Sequence, residues 1–246
     1  MNRYRLDNKT ALVTGCTSGI GLAIADELIA LGAKVIGVAR TEDRLVAWSK
    51  EREGTRCIPA DVTRDAERIF AGLDRLDILV NNAGINIRKA TADYSEEEYR
   101  RIFETNESAP FAMCRAAFPL LRASGEASIV NIVSVAGIRN VGTGSPYAMT
   151  KAATVQLTVV LAAEWAKDGI RVNAVAPWYI RTPLVEPILG DPVRLDKILS
   201  RTPMGRVGEP SEVAAVAGFL ATPAASYVTG QCIAVDGGFL ASGVFG

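Results

Sequence analysis

Short, almost wholly apolar runs alternate with amphipathic helical patterns from one end of this chain to the other. That rhythm constrains the fold more than any other feature. Residues 11–14, 34–39, 56–60, 76–80, 128–133, 171–176 and 231–235 read as strands. Helical patterns lie between them at 19–31, 42–50, 64–71, 95–124, 146–167 and 210–222. In the first helix Ile20, Ala23, Ile24, Leu28 and Leu31 share one side. Runs such as 129–133 are apolar on both faces, which requires helices above and below the sheet. The sum is an α/β fold: a doubly wound, parallel, seven-stranded sheet with helices on both faces. No linker, repeat or low-complexity stretch divides the 246 residues, so 1–246 reads as one domain.

Local signals refine this. Ser95 with Glu98 three residues on is a capping box. The helix it opens runs to Ser124, with a break expected near Pro110. Pro146 suits the first turn of the following helix. Residues 184–200 are weakly helical, interrupted by Pro187, Gly190 and Pro192.

Composition excludes several functions. Lysine plus arginine equals aspartate plus glutamate at 27 each, with no basic cluster, so a nucleic-acid partner is not expected. Histidine is absent, which removes Ser-His-Asp triads, Cys-His dyads and histidine metal sites. Cys16, Cys57, Cys114 and Cys232 are scattered without a C-x-x-C pair, so neither a metal site nor a disulfide framework is expected. No apolar run reaches membrane-spanning length and the first eight residues lack a signal-peptide core, so the expectation is a soluble cytoplasmic protein without a membrane partner.

The first strand leads into Thr14-Gly15-Cys16-Thr17-Ser18-Gly19-Ile20-Gly21 and then a helix. In a doubly wound sheet, ligands sit beyond the carboxyl ends of the strands, and glycines let the backbone approach a phosphate there. The helix start adds free N–H groups and a positive dipole end. A tight turn without a ligand is the plainer alternative. This context makes the domain Rossmann-type and the ligand a dinucleotide. The second strand ends in Arg40 and Thr41 where NAD-binding chains carry an acid. A guanidinium there can pair with a 2′-phosphate, so NADP is expected and NAD disfavoured. A solvated arginine is the alternative.

Further along stand Asn81-Asn82-Ala83-Gly84, Ser134, and Tyr147 four residues before Lys151 on one helix face. Together with Asp61-Val62, Asn106, Arg171-Val-Asn173 and Val235-Asp-Gly-Gly238, these motifs resemble the short-chain dehydrogenase/reductase family over essentially the whole chain. The Arg40 strand end and Trp178-Tyr179 after Pro177 resemble its tropinone-reductase-like branch. Most members have glycine where Trp178 stands.

The resemblance implies a catalytic tetrad. Tyr147 is general acid or base, Lys151 lowers its pKa and holds the nicotinamide ribose, Ser134 bonds the substrate oxygen, and Asn106 supports a water reaching Lys151. It also implies cofactor contacts by Gly15, Thr17, Ser18, Gly19, Ile20, Gly21, Asp61, Val62, Asn82, Ala83, Gly84, Pro177, Ile180 and Thr182, besides Arg40 and Thr41. Each residue alone has a plainer structural role; the set together points to an enzyme that moves a hydride between NADP(H) and a small carbonyl or secondary alcohol. The physics agrees, because a free tyrosine has a pKa near 10 and an adjacent ammonium favours its phenolate.

Residues 184–200 read as a substrate lid, or as a surface helix. Ile138, Val141, Trp178, Tyr179 and Leu184 are candidate pocket walls and suggest a compact, mainly apolar ketone. The helix at 146–167 is apolar on several faces, through Val155, Leu157, Val159, Val160, Leu161 and Trp165. In the family it packs against a second copy, so a homotetramer is expected, with a monomer of deep core as the alternative. Competing functions are an NAD-linked sugar or polyol dehydrogenase, a 3-oxoacyl reductase of the same family, and a non-catalytic NADP-binding sensor.

Overall fold

A computed structural model of the chain describes residues 2–242. Strands β1 (Thr10–Thr14), β2 (Lys34–Ala39), β3 (Arg56–Pro59), β4 (Ile78–Asn81), β5 (Ala127–Ile132), β6 (Ile170–Pro177) and β7 (Cys232–Val235) form one sheet. Its order is β3-β2-β1-β4-β5-β6-β7, and all neighbours are parallel. The chain begins mid-sheet, winds outward to β3, then crosses back to β4 and winds the other way. The order reverses between β1 and β4, so their carboxyl ends part and leave a crevice.

The helices are α1 (Gly19–Ala30), α2 (Glu42–Lys50), α3 (Ala66–Ala71), α4 (Glu96–Phe103), α5 (Ala109–Ser124), α6 (Ser145–Trp165), α7 (Glu186–Leu189), α8 (Pro192–Leu199) and α9 (Pro210–Ala221). Helices α1, α2 and α9 cover one face, where Ile24, Leu28, Trp48, Val213 and Leu220 pack with Ala11, Val13 and Val80. Helices α3, α5 and α6 cover the other, with Phe70, Met113, Leu121 and Leu161 against Leu12, Leu79 and Ile129. Within β1, alternate residues thus serve opposite cores, as the two-residue strand period dictates. Each such leucine or isoleucine contributes about 1.5–3 kcal/mol by leaving water. None of the described helices is long and apolar enough to cross a membrane.

Beneath the sheet's amino edge, the fully buried Asp77 ties strands together. Its carboxylate accepts from the Thr10 N–H at 2.8 Å, from Arg75 at 2.7 and 2.9 Å, and from Ser124 Oγ at 2.6 Å. Burial opposes its ionisation, but these donors and nearby Lys9 outweigh burial and hold its pKa below the usual range.

The structure gives three local expectations their detail. The Ser95 capping box forms, and the break expected near Pro110 is a π-helical turn over Glu104–Ser108. Pro110 has no N–H for the carbonyl four residues back, so the Asn106 carbonyl is released from the helix ladder. Thr154 Oγ1 donates to it at 3.2 Å. Second, α6 ends at Trp165 and gives way to a 3-10 turn, closed by left-handed Gly169. Third, residues 184–200 hold two short helices, α7 and α8. Asp191 separates them and caps the second, accepting from the N–H groups of Val193 and Arg194.

Candidate active site

The glycine turn lies at the reversal of strand order. Gly15 and Gly19 take positive φ values of 69° and 56°. A methyl group at Gly21 would collide with the Gly15 carbonyl and the Asn82 carboxamide, so α1 leaves the sheet too closely for any larger residue. Thr14 Oγ1 accepts from the N–H groups of Asn82 and Ala83 at 2.9 and 3.0 Å, and Asn82 Nδ2 donates to the Thr14 carbonyl at 2.9 Å. These bonds latch the ends of β1 and β4 side by side. Helix α1 begins at Gly19 with no side-chain cap and no acidic residue in its first turn. Its free N–H groups face a cleft of about 960 Å³ lined by Gly15, Thr17, Ser18, Gly19, Ile20 and Gly21. Such a start suits an anion.

The cleft continues without interruption past Arg40, Thr41, Asp61 and Val62 at one end and past Tyr147 and Lys151 at the other. Arg40 is exposed and has no ion-pair partner among the described residues. Asp61 is pulled below the usual carboxylate range against the opposing effect of burial, by bonds from Thr63 and by the charges of Arg64 and Arg40. Asn82, Ala83, Gly84, Pro177, Ile180 and Thr182 also line the cleft. Thr182 lies against the turn itself, 3.3 Å from where a methyl group on Gly19 would stand. Asn81 differs: it points into the core, donating to Asn131 Oδ1 at 2.9 Å.

That bond starts a buried polar ladder that fixes α6. Asn131 donates to Thr158 Oγ1 at 2.9 Å, Thr158 to the Thr154 carbonyl at 2.8 Å, and Thr154 to the released Asn106 carbonyl. The inward side of α6 is therefore lined by Thr150, Thr154 and Thr158 together with Lys151, all buried. Of the apolar residues read from the sequence, Val159 and Val160 face outward, 44% and 40% exposed, beside Met149 at 50%. The helix is thus not sunk in a deep core on all sides.

Tyr147 and Lys151 share a face as expected, with Lys151 Nζ 5.7 Å from the phenol ring centre. Lys151 Nζ donates to the Ile132 carbonyl at 3.0 Å. Burial lowers its pKa to about 8. Burial also pushes Tyr147 above its ordinary value; the Ser134 hydroxyl and the Arg88 guanidinium pull it part of the way back. Ser134 Oγ accepts from the Ala136 N–H at 3.1 Å, which leaves its own proton for the Tyr147 phenol.

Asn106 has a role that the sequence did not show. It is 1% exposed, and its carboxamide is occupied by one backbone residue. Oδ1 accepts from Ile85 N and Nδ2 donates to Ile85 O, both at 2.8 Å. This clamp holds the segment after β4 against the turn between α4 and α5, and Nδ2 also donates to Thr150 Oγ1 on α6 at 3.4 Å. That segment brings in Arg88, which lines the cleft and which no motif had marked. Arg44, Arg64 and Arg101 line it too. Their signal is absent from the sequence because surface arginines at loops and helix starts carry no pattern.

Of the candidate pocket walls, Val141, Trp178, Tyr179 and Leu184 line the cleft. Ile138 does not. The 3-10 turn Val135–Gly137 carries the chain away from the sheet, and Ile138 ends it 50% exposed. The Cys16 and Cys114 thiols are not candidates for acid-base work, because burial pushes them up to about 12.

An uncapped helix start, a glycine turn closed to larger residues and one cleft running from Arg40 to Tyr147 together fit a nicotinamide dinucleotide. Comparison with known proteins agrees. Residues 15–240 match the family model described as enoyl-(acyl carrier protein) reductase. The chain is 47% identical over 254 residues to a tropinone reductase homolog of Arabidopsis thaliana, covering 98% of this chain and 96% of that protein. A solved putative 2-deoxy-D-gluconate 3-dehydrogenase from Agrobacterium tumefaciens, with bound NADP, superposes with a TM-score of 0.91 at 37% identity, covering 98% of this chain and all of that one (100%). A gluconate 5-dehydrogenase from Burkholderia cenocepacia in complex with NADP and tartrate gives 0.93 at 33% identity, over 98% and 99% of the two chains. The matched span holds the glycine turn, both strand ends and the Tyr147–Lys151 face, and this chain belongs to the short-chain dehydrogenase/reductase family of NAD(P)-dependent oxidoreductases.

Proposed function

We propose that this enzyme interconverts a small, mainly apolar ketone and its secondary alcohol using NADP(H), with Asn106, Ser134, Tyr147 and Lys151 as its working set. The observation that carries the reading is the single cleft that has Arg40 at one end and the Tyr147–Lys151 face at the other. When bound, the nicotinamide cofactor supplies or accepts the hydride. Tyr147 gives its phenolic proton to the carbonyl oxygen in reduction and takes it back in oxidation. Ser134, its oxygen already satisfied by Ala136, donates to the same substrate oxygen, where negative charge develops. Lys151, its Nζ 5.7 Å from the Tyr147 ring centre, favours the phenolate left once the proton has gone and holds the nicotinamide ribose. Val141, Trp178, Tyr179 and Leu184 form the apolar wall, and α7 and α8 act as the lid over it.

Arg40 supports NADP over NAD: β2 ends without an acid, and the guanidinium is exposed and unengaged by carboxylates among the described residues. Exposed Met149, Val159, Val160, Phe111 and Tyr99 on α4, α5 and α6 support a second copy packing there, within a homotetramer. Light scattering that returned a monomer at micromolar concentration would refute that part. Four free cysteines support a reducing compartment such as the cytoplasm.

The test is Tyr147→Phe, which keeps the ring and removes the proton. Loss of a general acid of this kind costs about 10²–10⁴-fold in kcat. Tight NADPH binding should persist in the variant. Undiminished turnover would end the proposal, and absence of turnover by the unaltered enzyme over a broad ketone and alcohol panel would favour a cofactor sensor. A second reading, a sugar or polyol dehydrogenase, draws on Arg88 and Thr143 in the cleft wall and on the sugar-acid names of the two solved relatives. Comparing neutral ketones with sugar acids in the same assay separates the two.

A further inference from the structure

Among the described residues, Trp178 is the one aromatic side chain that belongs to two apolar clusters at once. One cluster, with Val133, Ala176 and Phe239, lies at the carboxyl edge of the sheet; the other, with Ile188, Leu189 and Ile198, is the small core of α7 and α8. Its backbone is fixed by a bond from Trp178 N to the Val235 carbonyl at 3.1 Å. Its ring is held from three directions. Phe239 stacks on it at 3.9 Å between centroids and 9° between planes. Tyr179 meets it edge-on at 4.6 Å. Its Nε1 donates to Thr202 Oγ1 at 3.1 Å, just past the end of α8. Thr202 in turn donates to the Ile198 carbonyl at 2.7 Å, so the acceptor is oriented as well. An indole with its N–H satisfied and one face covered cannot swing aside, yet Trp178 still lines the cleft beside Val141, Tyr147 and Tyr179.

We infer that Trp178 is the residue that limits substrate size, a rigid indole stop at the end of the pocket, braced by Phe239 and Thr202. The inference rests on the carbonyl reading above. On this reading the bulk of the side chain matters more than its aromatic character. A ring free to rotate would yield to a larger substrate, whereas one locked by a stack and a hydrogen bond rejects it. One methylene in excess is discriminated by about 10- to 200-fold in a rigid apolar pocket.

The experiment measures NADPH-dependent kcat/KM for cyclohexanone and its 4-methyl, 4-ethyl and 4-butyl derivatives, with the intact enzyme, Trp178→Ala and Trp178→Phe. The expected result is a shift of at least about tenfold in the ratio of 4-butylcyclohexanone to cyclohexanone for Trp178→Ala, in favour of the larger ketone. Trp178→Phe keeps the stack on Phe239 but loses the bond to Thr202, and its ratio should fall between the other two. A melting temperature for each variant accompanies the kinetics. Both variants losing activity equally on every ketone, with the ratio unchanged, overturns the assignment and leaves Trp178 a packing residue. Should Trp178→Ala fail to fold, an unchanged ratio in Trp178→Phe overturns it alone. No turnover of any ketone by any of the three proteins overturns both this inference and the carbonyl reading beneath it.

Discussion

Asn106→Ala should weaken the fold more than a single polar truncation ordinarily does. The side chain satisfies both backbone groups of Ile85, at 2.8 Å each, from a position that is 1% exposed. Alanine leaves one N–H and one carbonyl without partners, beside the Pro110 site where the helix ladder is already open. Orphaning a buried backbone group costs about 1–3 kcal/mol. Ile85 is half-buried, so water meets part of that cost, and the two groups together amount to roughly 2–4 kcal/mol. For a domain of this size each kcal/mol moves the melting temperature by about 2–4 °C, giving a fall of roughly 4–16 °C. Thr154→Val is the matched control. It removes the donor to the Asn106 carbonyl but leaves both Ile85 bonds, so it orphans one group rather than two and its shift should be about half as large. Differential scanning calorimetry of the three proteins at one pH decides the matter. An Asn106→Ala variant melting within 2 °C of the parent, or no lower than Thr154→Val, refutes the idea that Asn106 serves first as a clamp.

Other outcomes follow from the same geometry. Arg40→Ala should lower kcat/KM for NADPH by about tenfold to a hundredfold, the worth of one charge-assisted contact, while leaving NADH little changed; an unaltered NADPH-to-NADH ratio removes the case for NADP. Arg88→Gln takes away a positive charge that favours the Tyr147 phenolate, so the phenol pKa should rise further and the alkaline limb of kcat/KM for ketone reduction should move to higher pH; a limb that stays put or moves down contradicts this. Asp77 has a folded pKa below its unfolded one. Its contribution to stability is therefore fully present above about pH 4 and is lost as pH falls through the folded value. The melting temperature of Asp77→Asn should accordingly trail the parent at pH 7 and approach it as the pH is lowered below 4, which a pH series of thermal melts would show.

Much of the architecture was legible because it rests on local chemistry. The apolar runs at 34–39 and 128–133 could only be covered strands, and the helical spacing of Ile20, Ile24 and Leu28 could only face a sheet. Ser95 with Glu98 named a helix start correctly. The glycine turn was legible for the same reason: Gly15, Gly19 and Gly21 serve backbone geometry within eight residues. Where the reading slipped, distant partners decided. The break near Pro110 was legible, but not that the carbonyl it releases, Asn106 O, is met by Thr154, 48 residues away. Ile138 reads from the sequence as a pocket wall, but a 3-10 turn carries it outward.

From its sequence alone this protein is an α/β chain with a dinucleotide turn and a tyrosine and lysine one helical turn apart, since strand period, helix period and glycine's freedom act over a few residues. Only the tertiary structure decides what surrounds that pair. Burial lowers Lys151 and raises Tyr147, Arg88 and Ser134 pull the phenol back, Asn106 holds Ile85, and Phe239 and Thr202 lock Trp178. These effects are set by desolvation and by contacts between segments far apart in the chain, and neither spacing nor composition records such distances.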